Sequence, residues 1–205
     1  PPPPPRTRPP TPSGSAGVCY NASSGEIMTP LPHAAVGLVA WKFLSRRDDL
    51  RALTAFLLVS CLPDLDFVLY NILGRPRLFS HQLYSHNILI ALASAFLFFP
   101  LLRSSRERWG LVLVGLSHLV MDVFVLDDVP PVGFRPFWPF SRHLVSFGFF
   151  PYVRRGNLEQ VLSLRNLTAF GLEALVFVIP AILICRRELA FLWKSRILKK
   201  NVQPS

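Results

Sequence analysis

"WGLVLVGLSHLVMDVFVL", residues 109–126, is an apolar run whose only polar side chains are Ser117, His118 and Asp122. A helix needs about 20 predominantly apolar residues to cross a bilayer, and this run nearly suffices. Ionisable groups at membrane depth cost a few kcal/mol, on the order of +3, unless they are paired, hydrated or bound to a cation. His118 and Asp122 stand at i and i+4, which stacks them on one helix face about 6 Å apart, a spacing able to hold one cation between them. The stretch therefore specifies a membrane helix and marks one face of it for polar chemistry.

The rest of the chain has the same character. Its 205 residues are 51% hydrophobic and 17% charged, a balance that belongs to membrane proteins. The net charge of +10 is compatible with a nucleic-acid binder, but the Lys and Arg residues sit in short clusters between apolar runs. There they set membrane orientation, and no nucleic-acid partner is expected. Cys19, Cys61 and Cys185 are widely separated and form no CxxC pair, so neither a disulfide framework nor a thiolate metal site is expected.

Residues 1–27 open with "PPPPPRTRPPTPSGSAG", a leader that favours polyproline II and cannot bury a core. It is expected to be disordered, and Met28 is the expected natural start. Five apolar segments follow, at 30–45, 52–73, 86–102, 109–126 and 167–185. The first is short and carries Lys42, which suits a re-entrant or interfacial helix as well as a span. The third is short and has Pro100 near its end. The expected fold is all-α, a multi-pass membrane protein with about four to five membrane-embedded helices in a domain covering 28–200. Within it, residues 127–166 form a loop rich in Pro, Phe and Trp. Phe137, Trp138 and Phe140 would lie at headgroup depth, either as an aromatic belt or as a lid over a substrate.

Assigning alternate loops to opposite faces places thirteen Lys and Arg on one side and seven on the other, before Arg6 and Arg8 of the leader are added. The positive-inside rule puts the thirteen, including the basic C-terminus, in the cytoplasm. All five histidines, His33, His81, His86, His118 and His143, then fall on the opposite side. Asp64 and Asp66, in "LPDLDF", lie at the middle of the second segment or beyond it toward the same face. At i and i+2 they would diverge on an ideal helix, but Pro63 removes a backbone donor and makes a local break, which can turn both inward or leave one as an outer partner. His81 and His86, five apart in "FSHQLYSHN", also diverge on a continuous helix, so His81 belongs to the loop and His86 to the first turn of the third segment.

Mixed imidazole and carboxylate donors favour a divalent ion, zinc first, with manganese, iron and magnesium compatible. His33, Asp64, Asp66, His81, His86, His118 and Asp122 exceed the four donors of one structural zinc, leaving room for one metal with an open position or for two.

The order "PHAAVG", "PDLD", His-x-x-x-x-His entering a helix, "GLSHLVMD" and "FWPFS", from Met28 to about Ser141, resembles the YdjM-like family of LexA-binding, inner-membrane-associated metal-dependent hydrolases. The resemblance implies a multi-pass protein of the bacterial inner (plasma) membrane with hydrolase activity and a remote likeness to zinc-dependent phospholipases C. Carried across by position, the family's metal ligands fall on His33, Asp64, Asp66, His81, His86, His118 and Asp122. The chain departs from the pattern at Ser85-His86-Asn87, where the family more often has Thr-His-Ser. It departs again at Gln82, where an Arg is usual, so contact with an anionic substrate would fall to Arg75, Arg77, Arg135 or Arg142.

The expected function is a membrane-bound hydrolase whose metal acidifies water and polarises a phosphoryl or acyl oxygen. His33, His86, His118 and Asp122 would bind the metal, and His81 with one of Asp64 or Asp66 a second. The remaining Asp would be the general base. The expected partners are membrane lipid and a phosphoester or lipid substrate. A transporter using the same His and Asp groups is the second reading, and a non-enzymatic membrane regulator acting through "CRRELAFLWKSRILKK" the third.

Overall fold

A computed structural model describes residues 26–46, 48–66, 84–125, 133–151, 153, 154, 159 and 162–202. The described residues are overwhelmingly helical: α1 (Pro30–Leu44), α2 (Leu50–Cys61), α3 (Ile88–Phe98), α4 (Ser105–Val123), α5 (Leu164–Glu173) and α6 (Ile179–Val202). A single short antiparallel pairing joins β1 (Glu26–Ile27) to β2 (Val153–Arg154). Residues 1–25 of the expected leader lie outside the described residues, whereas Glu26 and Ile27 are held by this pairing.

Local sequence sets the helix ends. The Asp49 carboxylate caps α2, accepting from the amides of Arg51 and Ala52 at 3.1 Å each. Asn87 caps α3 through the amide of Ile90 at 2.9 Å. α4 opens with a reciprocal box: Ser104 Oγ accepts from the amide of Glu107, and the Glu107 carboxylate accepts from the amides of Arg103 and Ser104. At Pro63 the end of α2 tightens into a 3₁₀ turn, Leu62–Asp64, and at Pro100 α3 ends in another, Phe99–Leu101, because proline has no N–H to continue the ladder.

Small residues let the helices meet closely. A methyl group on Gly37 would lie 2.7 Å from the carbonyl oxygen of Phe56, and one on Gly115 3.0 Å from that of Ala91. These glycines allow α1 to touch α2 and α4 to touch α3 backbone to backbone, the packing that serves helices where the surroundings are as apolar as the side chains. Between these helices Trp41, Ala52, Ala55, Phe56, Val59, Ala95, Leu111 and Val114 form the buried core.

Contacts fix the helix directions. Gly37 meets Phe56 and the Cys61 thiol reaches the Pro30 carbonyl, so α1 and α2 are antiparallel. Asp49 pairs with Arg103 at 3.3 Å while Ser60 meets His118, so α2 and α4 are parallel. Thr29 bonds Glu173, Cys185 bonds the Leu38 carbonyl and Lys42 pairs with Glu188, so α1 runs parallel to α5 and α6. In consequence the start of α1, the end of α2, the start of α3, the end of α4 and the end of α5 gather at one end of the bundle. Lys42, Arg103 and Arg106 gather at the other.

Residues Leu164–Ser195, spanning α5, a π-helical turn (Ala174–Val178) and most of α6, form one continuous helix long and apolar enough to cross a membrane. It turns Leu175, Ile182 and Leu183 outward. Ile88–Leu101 is apolar but shorter. With α1, α2 and α3 at 15, 12 and 11 residues and a rise of about 1.5 Å per residue, those three fall short of a standard span. The described residues thus contain one membrane-length helix beside several shorter ones that pack together.

Part of the aromatic loop is described. Phe134 and Val145 form a bridge, the Pro136 carbonyl accepts from the amide of Ile88 at 2.9 Å, and Trp138 stands edge-on to Tyr84. This lays the loop across the start of α3. Phe134 is buried beside the His86 ring, whereas Phe137, Phe140, Phe147 and Phe149 are exposed.

Candidate metal centre

α1 contributes His33 from its first turn, and the 3₁₀ turn after α2 contributes Asp64. His86 stands just before α3, and α4 contributes His118 and Asp122 one turn apart. All five are buried. Their donor atoms converge. His118 Nε2 lies 3.1 Å from Asp122 Oδ2, 3.2 Å from His86 Nε2 and 3.6 Å from Asp64 Oδ1. His86 Nε2 lies 3.3 Å from Asp122 Oδ2 and 3.4 Å from Asp64 Oδ1. His33 Nε2 is 3.5 Å from Asp122 Oδ1, and its ring stacks on His118 with centroids 3.8 Å apart.

These separations match the edges of a coordination polyhedron. Nitrogen and oxygen ligands at about 2.0–2.1 Å from zinc in a tetrahedron stand about 3.3–3.4 Å from one another. Hydrogen bonding alone does not account for the cluster, because both ring nitrogens of His33, Asp64 Oδ2 and Asp122 Oδ2 have no hydrogen-bond partner. Two buried carboxylates aimed at the same imidazole nitrogens repel each other unless a positive charge, an imidazolium or a metal ion, lies between them, and one divalent ion would balance both. Two triads, His33–Asp64–His118 and His86–His118–Asp122, have the geometry to hold an ion, and they share His118.

The outer side of the cluster orients the rings. His118 Nδ1 donates to the Ser60 carbonyl at 2.7 Å, so in the neutral ring the hydrogen sits on Nδ1 and the Nε2 lone pair faces the other donors. That carbonyl is free to accept because the residue three positions on, Pro63, has no N–H to give it in the tightened turn. His86 Nδ1 lies 2.8 Å from Ser85 Oγ, and the Ser85 hydroxyl donates to Asp66 Oδ2. Asp66 is 3.9 Å from His86 Nδ1, on the side of the ring away from Nε2.

The sequence-predicted residues therefore separate. His33, Asp64, His86, His118 and Asp122 come together. Asp66, expected as a ligand or an outer partner, takes the outer place. His81 lies outside the described residues, as do Arg75 and Arg77. His143 and Arg142 are exposed on the loop, and Arg135 has its Nε buried with no hydrogen-bond partner. Sequence reading passed over the Ser60 carbonyl and the bond between Thr29 and Glu173. The first was foreshadowed by Pro63. The second had no signal beyond an acidic residue in an apolar segment.

The model of the YdjM inner membrane protein family matches residues 28–193. No curated protein and no solved structure matches the chain.

Proposed function

The chain belongs to the YdjM inner membrane protein family, and on that premise we propose that it is a multi-pass, metal-dependent hydrolase whose site lies toward the non-cytoplasmic face of the membrane. The observation that carries the proposal is a buried cluster of three imidazole nitrogens and two carboxylates, each with at least one other donor of the cluster at 3.1–3.6 Å.

His33, Asp64, His86, His118 and Asp122 would hold one divalent ion, zinc before manganese, iron or magnesium. Such an ion supplies Lewis acidity, polarising a phosphoryl or acyl oxygen and acidifying water. Asp64 directs Oδ1 at the imidazoles and leaves Oδ2 without a hydrogen-bond partner, so Oδ2 is the group suited to accept a proton from attacking water. Asp66 acts through Ser85 to keep His86 in place.

A phosphoester or lipid substrate suits the location. The exposed Phe137, Phe140, Phe147 and Phe149 belong to the loop that crosses the start of α3 beside His86. Aromatic side chains favour the headgroup layer. Transport is a weaker reading. Between the cluster and the Lys42–Glu188 pair the bundle is filled by Trp41, Phe56, Val59, Leu111 and Val114, which leaves no polar path through the described helices.

Elemental analysis of detergent-purified wild type beside His118→Ala and His86→Ala tests the proposal. Wild type is expected to hold stoichiometric metal and both variants to lose it. Phosphodiester and phospholipid hydrolysis should vanish with chelator and return with Zn²⁺. A metal-replete wild type with no bound ion would sink the reading, and metal binding without chelator-sensitive hydrolysis would point to a carrier.

A further inference from the structure

We infer that Glu173 is a positioning residue for the metal ligand His33, which makes the membrane-length helix part of the site rather than a bare anchor. This rests on the metal-centre reading above.

The three imidazoles are not held alike. His118 is oriented by the Ser60 carbonyl and His86 by the Ser85 hydroxyl. Neither ring nitrogen of His33 has a hydrogen-bond partner. Its ring rests on that of His118, and stacking limits tilt without fixing how far the ring slides along its neighbour. Beyond the stacking, His33 Nε2 faces Asp122 Oδ1 at 3.5 Å, so its place depends on that pairing and on where α1 begins.

The start of α1 does not secure itself. Thr29 stands at the N-cap but makes no side-chain bond to its own helix, and Pro30 and Pro32 offer no amide hydrogens there. Thr29 turns instead to Glu173. Its amide donates to Oε1 at 3.1 Å, and its hydroxyl donates to Oε2. Glu173 is 1% exposed, so both carboxylate oxygens are spent, away from water, on the residue one turn before His33. Charge-assisted bonds of this kind are stronger than neutral ones, and a negative charge at a helix N-terminus is favourable.

The surrounding helix supports the same role. Immediately after Glu173 the chain makes the π turn Ala174–Val178, a widened turn of the sort that re-aims a helix face and is common at functional sites. Farther along, Lys42 pairs with Glu188 at 3.5 Å and donates to the Ile184 carbonyl. α1 is thus tied to this helix at both ends, and its axial position, with that of His33, is set by this helix as well as by its packing on α2.

The test uses the full chain in detergent, with Zn²⁺ titrated against a competing chelator and the bound imidazoles counted by X-ray absorption. For Glu173→Ala the dissociation constant should rise about 10–100-fold, the usual loss when an outer support of a ligand is removed, and the imidazole count should fall by one. Glu173→Gln, which keeps one acceptor oxygen, should recover much of the affinity and restore the count. A merely structural strut would lower Tm and leave both readouts unchanged. Should Glu173→Ala not fold, Thr29→Val removes the hydroxyl and keeps the amide bond, and a smaller rise in the same direction is expected. Wild-type uptake with variants that bind as wild type overturns this inference alone. A wild type that takes up no Zn²⁺ overturns the metal centre with it.

Discussion

His118 donates its Nδ1 hydrogen to the carbonyl of Ser60 at 2.7 Å, and Pro63, three residues beyond Ser60, keeps that carbonyl free. The bond crosses from α4 to the end of α2 and decides which imidazole nitrogen faces Asp64 and Asp122. Pro63→Ala restores an amide that competes for the Ser60 carbonyl. Zn²⁺ affinity should fall by about 10-fold, at the low end for lost outer support, with helix content unchanged. Chelator competition and far-UV circular dichroism check both halves, and unchanged affinity would show that Pro63 does not act through this carbonyl.

Ser85 joins Asp66 to His86. Ser85→Ala should weaken Zn²⁺ binding by about 10–100-fold, whereas Ser85→Thr, which keeps the hydroxyl, should stay near wild type. Asp66→Asn should do less harm than Asp64→Asn, because Asp66 stands behind the ring of His86 and Asp64 faces Nε2. Bound metal per chain after desalting ranks the four variants, and a larger loss from Asp66→Asn would reverse the roles assigned to the two carboxylates.

Gly37 lies where α1 touches α2. A methyl group there would stand 2.7 Å from the Phe56 carbonyl oxygen, so Gly37→Ala should destabilise by about 1–3 kcal/mol, the typical cost of overpacking. Gly171 has nothing within 4 Å of the same added group. Gly171→Ala should be neutral or stabilising by up to about 1 kcal/mol through helix propensity. Thermal unfolding in one detergent compares the pair, and equal midpoints would mean that α1 and α2 separate more easily than their contact suggests.

Glu107 lies at the opposite end of the bundle from the His and Asp cluster, where its carboxylate serves the amides of Arg103 and Ser104. Ser104→Ala should cost about 1 kcal/mol, as loss of an N-cap usually does, and leave bound metal unchanged. The variant therefore separates general loss of stability from damage to the site. A fall in metal content would show that the two ends of α4 are coupled.

Sequence by itself determined the helical, apolar character of the chain and singled out the His and Asp side chains that meet in the buried cluster. Spacing put His118 and Asp122 on one face of α4, and Pro63 marked a break beside Asp64 and Asp66. These are local properties, set by helical periodicity and by the missing amide of proline. Tertiary structure decided the rest. It turned Asp64 toward the imidazoles and Asp66 away through Ser85, stacked His33 on His118, and brought Glu173 to Thr29 from 144 residues away. It also brought α1 against α2 and α4 against α3 through Gly37 and Gly115, contacts that hydropathy does not mark. Such contacts depend on which helices cross and how closely, and close approach is set by backbone meeting backbone at particular points, for which the order of residues in one segment carries no periodic signal.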